Sequence, residues 1–270
     1  MMECETVTVT IKVGVTRTTL ARHRGSVIES MRSSPTPLSK NDSVVWMKSL
    51  ISGLLGEVFD KRIEGALVCV IPELEGSVCR AWKMSTGGDL RLFDPAFAPF
   101  TLDYRPPGAL GRDRSAAIWG ALDRFGSALG KAFMVADFGT HTVTTVWHEG
   151  CVLGGSIAPG LALQRKSVGG GRVILVPGTE GKEGRKKLDR FHDKRGFGQS
   201  TSESIEAGVV LGSVAAVEGL RRRVERELGQ PVSLVLTGGF ACRLSPLFSQ
   251  GVFRNRQLVH YGAWKFLSCS

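Results

Sequence analysis

No apolar run in this 270-residue chain approaches the roughly 20 residues needed to cross a bilayer, so no membrane partner is expected. The opening Met1-Met2-Glu3-Cys4-Glu5 lacks the basic and then apolar character of a secretory signal. The expectation is therefore a soluble, cytoplasmic protein. Cysteines are few, and none of the six forms a C-x-x-C pair, which leaves neither a zinc ribbon nor a dithiol motif. Cys69 and Cys151 lie inside apolar stretches and read as small buried thiols, and a disulfide framework is not expected in a chain this long. The five histidines are scattered without H-E-x-x-H or other ligand spacing, which gives no zinc site. Gly169-Gly170-Gly171-Arg172 is not followed by G-K-[ST], so the chain has no Walker A loop.

The composition is that of a folded chain. With 42% hydrophobic and 22% charged residues it can bury a core, as one large domain or two modest ones. Its 34 glycines point to many tight turns and α/β connections. The net charge of +10 is partly local. Lys182, Arg185, Lys186, Lys187, Arg190, Lys194 and Arg195 fall in one glycine-containing segment, and Arg221-Arg222-Arg223 sit on a helical pattern. No aromatic interleaving accompanies them, so they read as a solvated face or loop rather than a nucleic-acid surface.

The chain is organised around Phe133–Thr145. Phe133-Met134-Val135-Ala136 reads as a buried strand, and Thr142–Trp147 as a second. Between them, Asp137-Phe138-Gly139-Thr140 brings a carboxylate, a glycine and a hydroxyl to one turn. Glycine admits a close backbone approach, exposed amides and a hydroxyl can hold phosphate oxygens, and the aspartate can hold a cation. An ordinary Asp-x-Gly hairpin is the alternative. A second copy argues against it. At an offset of 125 residues Lys12 matches Asp137, Gly14 matches Gly139, His23 matches His148 and Gly25 matches Gly150. Each copy reads strand, glycine turn, strand, glycine turn, strand. A repeat of that length implies two similar subdomains rather than a solenoid.

In order, Val7–Arg24 is the first hairpin unit and Ser33–Asp42 a loop. Val44–Phe59 is an amphipathic helix, and Ala66–Ile71 is a strand buried on both faces and ended by Pro72. Glu73–Lys83 is helical and Arg91–Tyr104 extended. Pro106–Arg114 turns into the helix Ser115–Leu129, where Asp113 is either a cap or a carboxylate facing a cleft. Gly154–Leu161 is a glycine-rich loop opening a helix, and Gly178–Gly198 a polar loop. Thr201–Leu228 is a helical pattern broken at Gly208 and Gly219. Val232–Leu236 is a buried strand running into the turn Thr237-Gly238-Gly239, and Gln257–Phe266 a short strand or loop. Such alternation implies α/β units with parallel or mixed sheets.

Together these segments resemble the type III pantothenate kinases, the family of the Bvg accessory factor within the actin-like and sugar-kinase superfamily. Tyr104-x-x-Pro107-x-x-Leu110-Gly111-x-Asp113-Arg114 is similar to the family's Y-x-x-P-x-x-L-G-x-D-R. Asp137–Thr140 with Gly154–Gly160 is similar to its D-x-G-T and G-G-x-I-x-P-G. Gly198–Thr201 is similar to its G-x-x-T, and Thr237-Gly238-Gly239 to the superfamily's T-G-G. The resemblance implies two ribonuclease H-like subdomains, 1–112 and 113–270, with a cleft between them. It implies ATP-dependent phosphorylation of pantothenate, with Asp113 as general base, and Tyr104, Gly111, Arg112, Arg114 and Thr201 on pantothenate. Gly14, Thr16, Arg17, Gly139, Thr140, Gly238 and Gly239 would meet ATP. Asp137 would hold a monovalent cation, K⁺ or NH₄⁺, with Mg²⁺ as the second ion, and the protein would be a homodimer.

The first hairpin departs from that pattern. Where the family has D-x-G-N-T-[RH], this chain has Lys12-Val13-Gly14-Val15-Thr16-Arg17, and Thr145 stands where aspartate is common. An ammonium repels Mg²⁺ where a carboxylate attracts it, and it can meet a phosphate as a point charge. These changes keep open a catalytically impaired member acting as a ligand-binding regulator or scaffold. A nucleic-acid binder using the basic segment is a third reading, marked by steep salt dependence.

Overall fold

A computed structural model describes residues 6–37, 43–56, 62–106, 108–169, 196–249 and 251–269. Along the chain run β1 (Thr6–Val13), β2 (Arg17–Arg24), β3 (Val27–Pro35), α1 (Ser43–Leu55), β4 (Arg62–Cys69), α2 (Pro72–Thr86), β5 (Leu90–Leu92) and α3 (Arg112–Phe125). Then come β6 (Ala132–Phe138), β7 (His141–His148), β8 (Cys151–Pro159), α4 (Leu161–Gly169), α5 (Thr201–Leu228), β9 (Ser233–Thr237), α6 (Ala241–Leu244), β10 (Phe253–Arg254) and α7 (Leu258–Ser268). The chain forms two compact units, Met1–Gly126 with Gln257–Ser270, and Ser127–Arg256.

In the first unit the sheet order is β3-β2-β1-β4-β5. β1 runs antiparallel to β2 and parallel to β4, with Lys12 beside Val68. Strand alternation turns Val7, Val9, Ile11 and Val13 to one face, where they pack on Met47, Ile51 and Leu54 of α1 and on Leu74, Val78 and Trp82 of α2. Each such side chain taken from water contributes about 1.5–3 kcal/mol, so this face anchors the hairpin. Helices α3 and α7 lie against each other, and α7 also meets β1 and β4. Their approach is so close that a Cβ on Gly262 would fall on the Ala116 carbonyl, and one on Gly120 on the Leu258 carbonyl. The polar residues of β1 meet α7. The Thr10 hydroxyl is 2.8 Å from His260 Nδ1 and 2.9 Å from His23 Nε2, and the Thr19 hydroxyl is 2.8 Å from His260 Nε2.

The second unit repeats the plan. Its strands run in the order β10-β9-β6-β7-β8, so the hairpin pair and the parallel neighbour stand as in the first sheet. β6 is antiparallel to β7 and parallel to β9, with Asp137 beside Thr237. Met134, Ala136 and Phe138 turn inward onto Val209, Val210 and Val214 of α5 and Leu161 of α4. The matched glycines Gly25 and Gly150 both take positive φ, at 54° and 86°. The 125-residue offset is thus a duplicated three-stranded meander with a parallel fourth strand.

Four local readings change. Gln257–Phe266 is helix, not strand or loop: Leu258, Val259, Gly262, Ala263, Phe266 and Leu267 make one buried stripe at helical spacing, with a glycine at its narrowest point. Gly154–Pro159 is strand rather than loop. Gly154 and Gly155, at φ 133° and 158°, lie in β8 beside a bulge opposite Val146 and Trp147. Ser33–Pro35 continues β3. α5 runs unbroken through Gly208 and Gly219, because the buried stripe along its 28 residues outweighs about 1 kcal/mol per glycine. Cys69 is buried, whereas Cys151 is only partly so. Arg221 is buried, and Arg221, Arg222 and Arg223 pair with Glu225, Glu218 and Glu227. Cys4, Gly170–Arg172 and the Lys182–Arg195 segment lie outside the described residues. Among the described residues no helix is long and apolar enough to cross a membrane.

Two outcomes follow. Gly262→Ala collides with backbone and should cost about 2–4 kcal/mol, whereas Gly219→Ala, with open space around it, should add about 0.5–1 kcal/mol; urea denaturation of both variants checks the contrast. Burial holds His23 neutral to about pH 4 and His260 to about 3, against an ordinary 6.5. The unfolded chain takes up those protons first, so stability is full above pH 6.5 and falls as pH drops toward 4. His260→Gln should flatten that slope in denaturation curves measured across this window.

Candidate active site

In the second unit three motifs meet at the end of β6. Asp137 is the penultimate residue of that strand and half-buried. The Gly139 amide donates to the His141 carbonyl at 3.1 Å and closes the bend. The Gly160 amide donates to the Thr140 carbonyl at 3.0 Å, which seats the end of β8 on the same bend. Parallel pairing of β9 with β6 delivers Thr237-Gly238-Gly239 alongside, and the Phe240 amide reaches the Phe138 carbonyl at 3.2 Å. Gly238 takes φ 89°, and a Cβ there would fall on the Asp137 carboxylate. The structure thus brings together Asp137, Gly139, Thr140, Gly238 and Gly239, with Gly238 the position beside the carboxylate that only glycine permits.

In the first unit a second group gathers where α3 begins. Gly111 precedes the helix, and a Cβ there would stand 2.8 Å from Asp113 Oδ1. Asp113 Oδ1 accepts from the Arg114 amide at 2.9 Å, which turns the carboxylate across the helix start. Arg114 is buried, donates to the Tyr104 hydroxyl at 3.3 Å and lies 5.3 Å from that ring. Arg112 makes an ion pair with Glu75 of α2. Tyr104, Gly111, Arg112, Asp113 and Arg114 therefore form one cluster of two guanidiniums, a phenol and a carboxylate. Pro107 of the same motif lies outside the described residues.

The first bend is built separately. The Gly14 amide donates to the Arg17 carbonyl at 3.1 Å, and Thr36 clamps the loop by donating from its hydroxyl to the Gly14 carbonyl and from its amide to the Thr16 carbonyl. Val15, Thr16 and Arg17 are exposed, and Arg17 donates to the Ser33 hydroxyl through Nη2 at 2.8 Å. Lys12 is half-buried two residues before the glycine. Thr201 opens α5. Ser200 caps that helix by accepting from the Glu203 amide, and the Glu203 carboxylate accepts from the Gln199 amide at 2.8 Å.

Comparison with known proteins identifies the group to which these clusters belong. The model of the type III pantothenate kinase family matches residues 8–223. The chain belongs to that family. A type III pantothenate kinase from Paraburkholderia phytofirmans is 30% identical over 223 residues, 80% of this chain and 73% of its own. One from Kosmotoga olearia is 27% identical over 85% of this chain and 81% of its own. Among solved structures, a conserved Baf family protein from Campylobacter jejuni covers 96% of this chain and 97% of its own with a TM-score of 0.60 at 16% identity. A ROK family glucokinase from Streptomyces griseus, bound to glucose and AMPPNP, covers 98% and 99% with a TM-score of 0.52 at 11% identity. At such identities the structures establish the fold alone, one shared with that glucokinase.

Within this family frame, three contributors escaped sequence reasoning. Glu75 orients Arg112 from another helix, Thr36 clamps the first bend from the end of β3, and His260 sits behind Thr10 from the last helix. No local signal marks any of them, because each acts through tertiary contact. Gly160 was legible only as the end of a glycine motif. For the second bend, Gly238→Ala should cost about 1–3 kcal/mol through strain and collision with Asp137, while Gly239→Ala, with nothing near its Cβ, should stay within about 0.5 kcal/mol. Thermal unfolding of the pair gives the comparison.

Proposed function

We propose that this chain is an ATP:pantothenate 4′-phosphotransferase, making 4′-phosphopantothenate at the first step of coenzyme A synthesis. The observation that carries the proposal is the start of α3, where half-buried Asp113 accepts from the Arg114 amide, the Arg114 guanidinium donates to the Tyr104 hydroxyl and Arg112 pairs with Glu75. Phosphoryl transfer asks little covalent chemistry of a protein; it asks for positioning and for charge beside the transferring group. Asp113 takes the proton of the pantothenate hydroxyl as that oxygen attacks the terminal phosphorus, and the bond to the nucleotide diphosphate breaks. The Arg114 amide limits the rotation of Asp113 and so orients its carboxylate. Arg112, Arg114, Tyr104, Gly111 and Thr201 hold pantothenate, with Arg112 steadied by Glu75.

Gly14, Thr16, Arg17, Gly139, Thr140, Gly238 and Gly239 take up ATP, the glycines by admitting close approach and the threonines through their hydroxyls. Asp137 supplies a hard oxygen donor suited to K⁺ or NH₄⁺, which would screen phosphate charge beside it. A divalent ion does not fit the first bend. Its charged side chains are Lys12 and Arg17, and among the described residues no three His, Cys, Asp or Glu gather to hold a metal. The protein works as a cytoplasmic homodimer on this reading.

A second reading, an impaired member that binds ligand as a regulator or scaffold, draws on the same Lys12 and on Val15. A coupled assay with ATP, pantothenate, Mg²⁺ and K⁺ or NH₄⁺ separates the two. Turnover should fall by about 10²–10⁴ in Asp113→Asn, with ATP affinity retained. Ligand binding without turnover in the unmodified protein would establish the second reading instead.

A further inference from the structure

The two hairpins are the same construction with opposite charge at one position. β1 and β6 each end beside a parallel strand, turn at a glycine, and return antiparallel. In the second unit the residue two before the glycine is Asp137; in the first it is Lys12. At the glycine bend that follows Lys12 the backbone carbonyls are already engaged. The carbonyls of Gly14, Thr16 and Arg17 each accept from within the unit, from Thr36 and Gly14. Carbonyls engaged in this way are poorly placed to ligate a cation, while Thr16 and the bend's outer surface stay exposed. Arg17 adds a second positive charge, and no acid lies between Lys12 and Arg17. Behind Lys12, α7 contributes an imidazole bonded to two hydroxyls, those of Thr10 and Thr19. Burial keeps His260 uncharged, and the neighbouring His23 and Lys12 act in the same direction.

We infer that the first bend binds nucleotide phosphate oxygens directly, the Lys12 ammonium standing where a divalent cation would otherwise bridge protein and phosphate. An ammonium is a compact point charge with three donors, able to contact non-bridging oxygens without a metal. This inference rests on the ATP-binding reading above and adds that ATP affinity at this bend does not need magnesium.

The test is equilibrium binding of ATP to the full chain, by calorimetry, in EDTA and in excess Mg²⁺. The expected result is a dissociation constant that changes by less than about threefold between the two. Lys12→Met should weaken binding in EDTA by at least about tenfold, and Lys12→Asp should weaken it further while restoring a gain on adding Mg²⁺. Circular dichroism melts show whether each variant is folded, and the unmodified protein alone decides the first comparison. ATP binding that strengthens tenfold or more with Mg²⁺ in the unmodified protein overturns this inference and leaves the kinase reading standing. No ATP binding in either condition overturns both.

Discussion

The site in the second unit depends on one constraint: β9 must run parallel to β6 and end level with it. That register sets Thr237 beside Asp137 and drops the following turn onto the carboxylate. Parallel neighbours need a long crossover, and α5 supplies it, burying Val209, Val210, Val214 and Val217 against the sheet. If the register slipped by one residue, Met134 and Ala136 would leave the core and Gly238 would no longer meet Asp137. Core packing and site geometry are therefore a single condition. The positive φ of Gly238 is where that condition becomes a demand on residue type.

The first unit meets the same constraint with β1 and β4, and its other face is given to α3 and α7. Two glycines facing backbone carbonyls set how near those helices come. The start of α3 carries Asp113 and Arg114, so a contact at Gly120 and Gly262 also fixes where the carboxylate stands. Arg114 is a buried cation that donates to the Tyr104 hydroxyl and lies against its ring, which offsets part of its desolvation.

Much of this was legible beforehand. The strands around Asp137 and Lys12 announced themselves by apolar runs ending in glycine turns, and the offset that pairs Gly14 with Gly139 and Gly25 with Gly150 revealed the repeat. Asp113 and Arg114 stood at a helix start, as the spacing required. What stayed hidden was set by distant partners. Leu258–Ser268 carries a sound helical stripe, but Gly262 reads as a breaker until Ala116 is known to need the space. Gly154 and Gly155 read as a loop because their strand conformation is imposed by pairing with β7. Glu75 and Thr36 become functional only through the residues they touch. The charge of Lys12 was plain in the sequence, while the carbonyls engaged around it were not.

The last helix, Leu258–Ser268, completes the first unit after the chain has passed through the whole of the second. Emerging from the ribosome, Thr10, Thr19 and Gly120 wait for partners translated some two hundred or more residues after Thr10 and Thr19. The first lobe made is consequently the last to be finished, and a nascent chain stopped at any point before residue 258 would display a half-clad sheet, a natural mark for chaperones to grip.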